Sequence, residues 1–367
     1  MSIARDPWRA GMIRYKLLAM LPKEYADVLS GRVPVEAFRP VPARALLLPV
    51  YVLVVVACAT VIVWARPGFA VRLTLAVIIG IVFSCMGILG HEILHGSVVE
   101  GLWLRRSLGA ICIAPLGIGP VFWTLWHNIH HANTQHPERD PDAWGTLDHM
   151  PLDRSIGFLR RFSNVRTPLF PFLLAGGVTA HATALLFFMQ KQMTRHLRVL
   201  TLAEFLVLWA FWLALGVWLG WTNLLFFFAI PLVTANVIVN SFVVTNHFLN
   251  PLDTSGDPLA DSLTVTSYPW LERLLLNFNY HTEHHLFPRM SPKYAPVVAR
   301  LLREMWPDRY HSLPHGRALL AVWRTPRAYH DETHLVDTRT QTLYGTLGHG
   351  LDAVEVTKGR KTPPLDG

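Results

Sequence analysis

The stretch Asn277-Phe278-Asn279-Tyr280-His281-Thr282-Glu283-His284-His285-Leu286-Phe287-Pro288 places three imidazoles within five residues. Two similar clusters precede it, His91-Glu92-Ile93-Leu94-His95 and His127-Asn128-Ile129-His130-His131. On a helix, positions i, i+3 and i+4 share one face, so each cluster can direct its rings toward a common point. Because neutral imidazole is the commonest protein metal ligand, we interpret the clusters as metal-binding rather than as three unrelated surface patches.

The composition is typical of a membrane protein. The 367 residues are 51% hydrophobic and only 16% charged, and the mean hydropathy is +0.31. Soluble domains carry roughly a quarter charged residues. The net charge of +8 fits a cytoplasmic excess of basic residues or an anionic lipid or acidic partner. The sequence shows no basic module interleaved with aromatic residues, so nucleic-acid binding is not predicted. The three cysteines lie in apolar runs and form no Cys-x-x-Cys pair, so we expect no iron–sulfur site.

Uncharged stretches predict the membrane helices. Ala45 to Ala65 and Leu73 to Gly90 each suffice for one span, and together they form a hairpin that ends at His91. Phe205 to Leu252 is uncharged for 48 residues and predicts two spans with a turn at Gly220 to Asn223. The sequence therefore predicts an all-α integral membrane protein with about four transmembrane helices.

Two further apolar stretches are predicted not to cross completely. Ser107 to Trp126 contains five Gly and Pro residues, which favour a re-entrant or interfacial segment. Thr167 to Gln190 is predicted to be a partly inserted helix, because three spans would place the second and third clusters on opposite faces. His181, within it, is interpreted as a core histidine with a hydrogen-bond partner rather than a ligand.

Three regions follow from these patterns. Residues 1–44 mix basic and apolar side chains and predict a cytosolic or interfacial segment, with no signal peptide. Residues 45–331 form the catalytic membrane domain, capped on the cytosolic side by the histidine clusters. Residues 332–367 show little periodicity and are predicted to be loosely ordered.

The number of histidines indicates two metals. The clusters offer eight ligands: His91, His95, His127, His130, His131, His281, His284 and His285. One zinc ion takes about three protein ligands in a catalytic site and four in a structural one. With many nitrogen ligands and no thiolate, iron is favoured over copper(I).

His91-Glu92-Ile93-Leu94-His95 also matches His-Glu-x-x-His, the zinc helix of metalloproteases. An intramembrane zinc protease would leave six clustered histidines without a role. We therefore interpret Glu92 as a supporting acid. A non-enzymatic haem-binding or metal-transporting membrane protein is a more distant alternative, since its ligands would lie inside the spans.

The three clusters resemble the histidine boxes of the membrane-bound fatty acid desaturase superfamily. The second box continues into Thr134 and Asp140-Pro141-Asp142, as it does in that family. Glu283-His284-His285-Leu286-Phe287-Pro288 is similar to the third box of the acyl-lipid and front-end branches. The resemblance covers about Gly80 to Arg300.

The resemblance implies two non-haem irons on the cytosolic face, with O₂ as co-substrate, that oxidise an unactivated C–H bond of a fatty acyl chain. It also implies a further ligand, His247, at the end of the last span. Residues that could support the ligands are Glu92, Asn128, Asp140, Asp142, Asn246, Asn279 and Glu283. In animal acyl-CoA relatives an Asn stands four residues before the lone His, whereas this chain has Val243.

Desaturation is the expected reaction, and a hydroxylase, an acetylenase or an alkene-forming decarboxylase of the same fold is the alternative. The acyl group could be a free acid or could be carried by CoA, a carrier protein or a lipid. No cytochrome b5 signature is present, so an external ferredoxin or cytochrome with its reductase is expected to supply electrons. The predicted location is the bacterial cytoplasmic membrane.

Overall fold

The computed structural model describes residues 23–29, 31–144, 146 and 161–360 of the chain. These residues are mostly helical, and five helical stretches are long and apolar enough to cross a membrane. They are Pro42–Ala65, Phe69–His95, Phe170–Gln192, Arg195–Leu219 and Trp221–His247. The predicted class, an all-α membrane protein with a histidine-rich cap, is confirmed, with one more candidate span than expected.

A short helix and a hairpin begin the described chain. Helix α1 (Lys23–Leu29) buries Tyr25 and Leu29 against the C-terminal cap. Helix α2 (Leu47–Thr60) leads into α3 (Phe69–His95) through a turn at Arg66, whose φ is 46°. The surface helix expected in the N-terminal segment falls mainly on residues 1–22, outside the described residues.

Helix α3 forms the centre of the membrane domain with α9 (Ile230–His247). In the candidate spans Phe69–His95 and Trp221–His247, more than half of the most apolar part is buried inside the protein, against 17% in each of the other three candidate spans. A Cβ atom on Gly80 of α3 would lie 2.4 Å from the Thr234 Cβ of α9, so only glycine allows this approach. Leu53 and Val207, on outer helices, are each 68% exposed. The apolar outer surface is the one that lipid would cover.

A bent pair of helices separates α3 from the remaining spans, as the sequence predicts. Helix α4 (Leu102–Ile113) meets α5 (Pro120–Ala132) at 89°, with a 3₁₀ turn at Ala114–Leu116 between them. Glu204 caps the buried start of α5, since Val121 N donates to its carboxylate at 3.1 Å. The second histidine cluster is thereby directed back toward the first.

The stretch predicted to be only partly inserted forms one continuous helix, α6 (Phe170–Phe188). Pro171 lies in the first turn, where proline removes no helical hydrogen bond. Gly177 lies where the Asn240 amide packs against α6. Because glycine has no side chain, it leaves the space that this amide occupies. Helix α6 is long enough to span by composition, and its depth in the bilayer stays a prediction.

The long uncharged stretch contains two helices joined at the predicted turn. Helix α7 (Arg195–Leu219) ends before Gly220, which has a φ of 94°. Helix α8 (Trp221–Leu224), a π turn at Leu225–Ala229 and α9 then continue to His247.

The cap consists of short elements after α9. Its helices are α10 (Pro258–Asp261), α11 (Pro269–Leu274), α12 (His281–Leu286), α13 (Ala295–Met305), α14 (His315–Arg324) and α15 (Ala353–Thr357). Strand β1 (Thr264–Thr266) pairs in parallel with β2 (Ser312–Pro314). Strands β3 (Ala328–Tyr329), β4 (His334–Asp337) and β5 (Thr342–Gly345) form an antiparallel sheet in that order.

The C-terminal region, residues 332–367, was expected to be loosely ordered, but the structure shows regular elements in it as far as residue 360. It contains β4, β5 and α15, and residues 361–367 lie outside the described part. Its backbone is tied to the segment after α9, because Leu347 N donates to Leu249 O and Leu252 N to Glu332 O. Strands of four residues are too short for alternation to be recognised in a sequence.

Candidate metal centre

Nine histidines on α3, α5, α9 and α12 converge in two groups. The sequence predicts that this side of the molecule faces the cytosol. The first group contains His91, His95, His127, His131 and His284, and the second contains His130, His247, His281 and His285. Within each group, one ring nitrogen per residue lies within 4.8 Å of all the others. These are the eight box histidines and His247, and the structure brings all of them together.

Helical geometry divides the second and third boxes between the two groups. On α5, His127 and His131 are four residues apart and face the first group. His130 is rotated about the helix axis by about 100° from His131 and faces the second group. On α12 the order is reversed: His281 and His285 face the second group and His284 the first. The expectation that each cluster points to one place is therefore wrong for both. An x-x-His-His spacing serves two neighbouring sites.

The distances between ring nitrogens fit a cation at the centre of each group. In the first group, His127 Nε2 lies 3.1 Å from His91 Nε2 and 3.0 Å from His131 Nε2. One imidazole nitrogen provides a single hydrogen or a single lone pair, so it cannot hydrogen-bond well to both neighbours. At metal–nitrogen distances of about 2.0–2.1 Å, adjacent ligands of an octahedral ion are roughly 3 Å apart.

The remaining contacts agree with this fit. His281 Nε2 lies 2.7 Å from His247 Nε2 and 3.0 Å from His285 Nε2 in the second group. In the first group, His95 Nε2 is buried and has no hydrogen-bond partner in the described part of the chain. Burial lowers the pKa of His281, His284 and His285 well below the usual range, which keeps the rings neutral and able to bind metal. The residues present therefore fit two metal ions.

Three histidines of the second group are oriented by contacts to their Nδ1 atom. His130 Nδ1 lies 2.9 Å from Asp140 Oδ1 and 3.4 Å from Asp142 Oδ2. His285 Nδ1 lies 3.0 Å from Thr134 Oγ1, and His247 Nδ1 lies 3.3 Å from the carbonyl oxygen of Asp261. Such contacts fix the tautomer of each ring and direct its Nε2 toward the centre of the group.

Two glutamates beside the boxes support the framework instead of the metals. Glu92 is buried and accepts two hydrogen bonds from Arg44, at 2.7 and 2.6 Å. A general base must face a metal-bound water, so this bidentate pair argues against the zinc-protease interpretation. Glu283 accepts hydrogen bonds from Thr264 at 2.6 Å and Tyr310 at 2.5 Å. Burial raises its pKa to about 7, although these two bonds lower it.

The three predicted asparagines differ in their surroundings. Asn279 Nδ2 donates to Val265 O at 2.8 Å and holds the start of α12 against β1. Asn246 is fully buried beside His247, and neither of its amide atoms has a partner among the described residues. Asn128 is partly buried on α5, and its side chain makes no hydrogen bond within the described part of the chain.

An apolar cavity of about 170 Å³ borders both groups. Five histidines of the two groups form part of its wall: His91, His127, His130, His247 and His281. The other walls come mainly from apolar side chains: Ile88, Ile113, Leu116, Ile118, Trp123, Trp126, Trp144, Leu173, Val178, Val239, Val243, Val244, Phe248 and Phe278. Val243 contributes no polar atom, and the nearby Asn240 amide donates to Leu173 O at 2.8 Å. Its apolar lining suits a hydrocarbon chain beside the two histidine groups.

Sequence reasoning missed the links among distant residues. Asp142 Oδ1 lies 2.8 Å from His181 Nε2 and accepts a hydrogen bond from Trp126 Nε1 at 2.7 Å. Arg44 lies 48 positions from its partner Glu92. No local pattern signals either contact. His181 belongs to neither histidine group. Its partner Asp142, however, also contacts His130 of the second group.

Comparison with known proteins gives the family. Residues 67–317 match the family described as fatty acid desaturase, which is more than half of the chain. The chain is 24% identical to Delta(8)-fatty-acid desaturase 2 of Arabidopsis thaliana over 71% of its length and 61% of the relative's. It is 25% identical to an acyl-lipid (9-3)-desaturase of Borago officinalis, over 68% of the chain and 61% of the relative.

A bacterial relative has a similar identity. The sn-1 oleoyl-lipid 12-desaturase of Synechocystis sp. is 26% identical over 60% of the chain and 64% of the relative. The chain thus spans about three fifths of the length of these curated relatives. The family match and the apolar helices together indicate an integral membrane protein. By the match over residues 67–317, the chain belongs to the fatty acid desaturase family.

Proposed function

We propose that this chain is an oxidoreductase that desaturates a fatty acyl chain in an O₂-dependent reaction at two histidine-bound irons. The observation that carries the proposal is the division of nine histidines into two adjacent groups above one apolar cavity. The first group would hold one iron through five imidazoles and the second group the other through four. When bound, the irons would supply the O₂ activation that an unactivated C–H bond requires.

The chain's own residues bind and orient the acyl substrate. The apolar wall excludes water and keeps a methylene chain next to His91 and His281. Trp123 stacks on His127 with ring centroids 4.3 Å apart, so the cavity wall also fixes the ring plane of one ligand. Asp140, Thr134 and the carbonyl of Asp261 orient the second group from outside.

The substrate is proposed to be the acyl chain of a membrane lipid. Two of the relatives described above are named as lipid-acyl desaturases. The outer surfaces of the apolar helices would lie in lipid, which brings such a substrate to the cavity by lateral diffusion. Electrons are proposed to come from an external ferredoxin or cytochrome with its reductase, on the cytosolic face of the membrane.

The test is product analysis in cells that express the chain. Gas chromatography with mass spectrometry should show a new double bond in the lipid acyl chains for the wild type and for His196→Ala. His196 is exposed on α7, so it serves as a matched control. His131→Ala, in the first metal group, should give no such product. A hydroxylated acid or a shortened 1-alkene as the main product would contradict desaturation and would identify another reaction of the same site.

A further inference from the structure

A basic cavity lies beside the C-terminal sheet, outside the site described above. It measures about 470 Å³. Its lining includes four arginines, Arg166, Arg324, Arg339 and Arg360, and one acidic residue, Asp337, so the lining has a formal charge of +3. It shares no residue with the apolar cavity below the histidines.

The guanidinium groups retain donors for a ligand. Asp337 lies 3.2 Å from Arg339, and Glu355 lies 3.0 Å from Arg360, whose side chain is 78% exposed. The Arg166 side chain is exposed and has no hydrogen-bond partner within the described residues. Arg324 donates to Thr357 O, but its Nε is buried and has no partner among the residues that the structure describes. A buried unpaired donor is unfavourable unless a ligand or water accepts its hydrogen bond.

An apolar groove adjoins the basic cavity and shares Arg166 with it. The groove is open and is lined mainly by Pro168, Phe170, Pro171, Leu319, Leu320 and Trp323. The two sides are joined by a hydrogen bond from Arg166 N to Trp323 O at 2.8 Å. The groove contains Phe170 and Pro171, the first residues of α6, which is an apolar helix long enough to span a membrane.

We propose that the basic cavity binds the phosphate of an anionic phospholipid, with the acyl chains of that lipid in the adjoining groove. Arginine forks match phosphate oxygens in bidentate geometry, and basic pockets beside membrane helices favour anionic headgroups. A zwitterionic lipid would bring its own cation into a lining of charge +3 and would bind more weakly. This lipid is distinct from the substrate, because the groove and the substrate cavity share no lining residue: α6 contributes Phe170 and Pro171 to the groove but Leu173, Gly177, Val178 and His181 to the cavity.

The test uses the full chain, purified in detergent and stripped of lipid. Native mass spectrometry would follow binding of dioleoylphosphatidylglycerol and of dioleoylphosphatidylcholine. We expect the anionic lipid to bind about tenfold more tightly, and we expect the double variant Arg166→Gln/Arg360→Gln to lose that preference. The matched control is Arg195→Gln/Arg300→Gln, which removes two exposed arginines elsewhere and should keep the preference.

Iron content and melting temperature of each variant show whether it is folded. A second variant, Arg166→Lys/Arg360→Lys, keeps the charge and should retain part of the preference. Equal binding of the two lipids to the wild type would overturn the proposal, as would an unchanged preference in the glutamine variant. Displacement of the lipid by equimolar glycerol 3-phosphate would show that a soluble phosphate is the ligand and would overturn the lipid assignment.

Discussion

His181 Nε2 lies 2.8 Å from Asp142 Oδ1, and the other oxygen of that carboxylate lies 3.4 Å from His130 Nδ1. A histidine on α6, which carries no histidine box, is thus connected through one carboxylate to a ligand of the second metal group. Asp142 also accepts a hydrogen bond from Trp126, so it is held on two sides. The connection passes along the wall of the proposed substrate cavity.

We expect His181→Ala to retain both irons and to lower turnover about threefold to tenfold. The substitution leaves His130 in contact with Asp140 but frees Asp142 on one side. Changes to groups that contact a ligand directly cost roughly 10- to 100-fold, and His181 acts one residue further away. Iron analysis and product formation would be measured together, with His196→Ala as the control. Loss of iron from His181→Ala would contradict the expectation that this histidine influences turnover without affecting metal binding.

A second prediction concerns the buried pair of Arg44 and Glu92. Arg44→Met leaves the Glu92 carboxylate buried without its partner, and we expect it to lower the free energy of unfolding by about 3–5 kcal/mol. The double variant Arg44→Met/Glu92→Met should recover most of that loss, because no uncompensated charge remains. Melting temperatures in detergent would measure both effects.

The same variants also test the role of Glu92. If Glu92 only supports the fold, the double variant keeps desaturase activity within about tenfold of the wild type. A double variant that is stable and contains iron but is inactive would contradict this account. Peptidase activity of the wild type that is lost in Glu92→Gln would support the protease interpretation.

The topology gives a third prediction. The convergence of the histidines requires that the loops after α5 and α12 lie on one side of the membrane. Cysteines at Asn133 and Pro292, in a background in which the three native cysteines are replaced by serine, should both react with an impermeant reagent from the cytosolic side. Asn133 is partly buried, so labelling in detergent would serve as the control for reactivity. Labelling of the two positions from opposite sides would contradict the site.

A fourth prediction concerns the electron donor. Arg289, Lys293 and Arg300 follow the third box and form the basic surface expected to meet an acidic carrier. Replacing all three with glutamine should weaken use of the donor several-fold at low ionic strength and little at high ionic strength, since salt screens exposed charges. A defect of equal size at all salt concentrations would mean that the substitutions act on folding instead. The iron content of the variant gives the control.

Local patterns predict which residues contribute to the candidate site. The i, i+4 spacing of His91 and His95 and the apolar stretches before the boxes predict which helices carry ligands and where they end. The turn at Gly220 was predicted from its residue types. His247 was identified by resemblance to the family, because a single histidine at the end of a helix carries no pattern of its own.

Features that depend on tertiary contacts could not be predicted in this way. His130 and His131 belong to different groups, and this becomes evident only when the positions of α5 and α12 relative to each other are known. Nothing near Thr134 in the sequence indicates a contact with His285, 151 positions away. Pro171 falls in the first turn of α6, where it does not interrupt the helix, but the packing of Asn240 at Gly177 cannot be predicted unless the neighbouring helix is known.

The central claim is that nine histidines hold two irons, and its most direct test is the metal content of the purified chain. Wild-type protein should contain two irons per chain and little zinc, and His247→Ala should lose iron from the second group and abolish turnover while it still inserts and purifies. His196→Ala should match the wild type. One zinc per chain in the wild type, or two irons with near-normal activity in His247→Ala, would contradict the account.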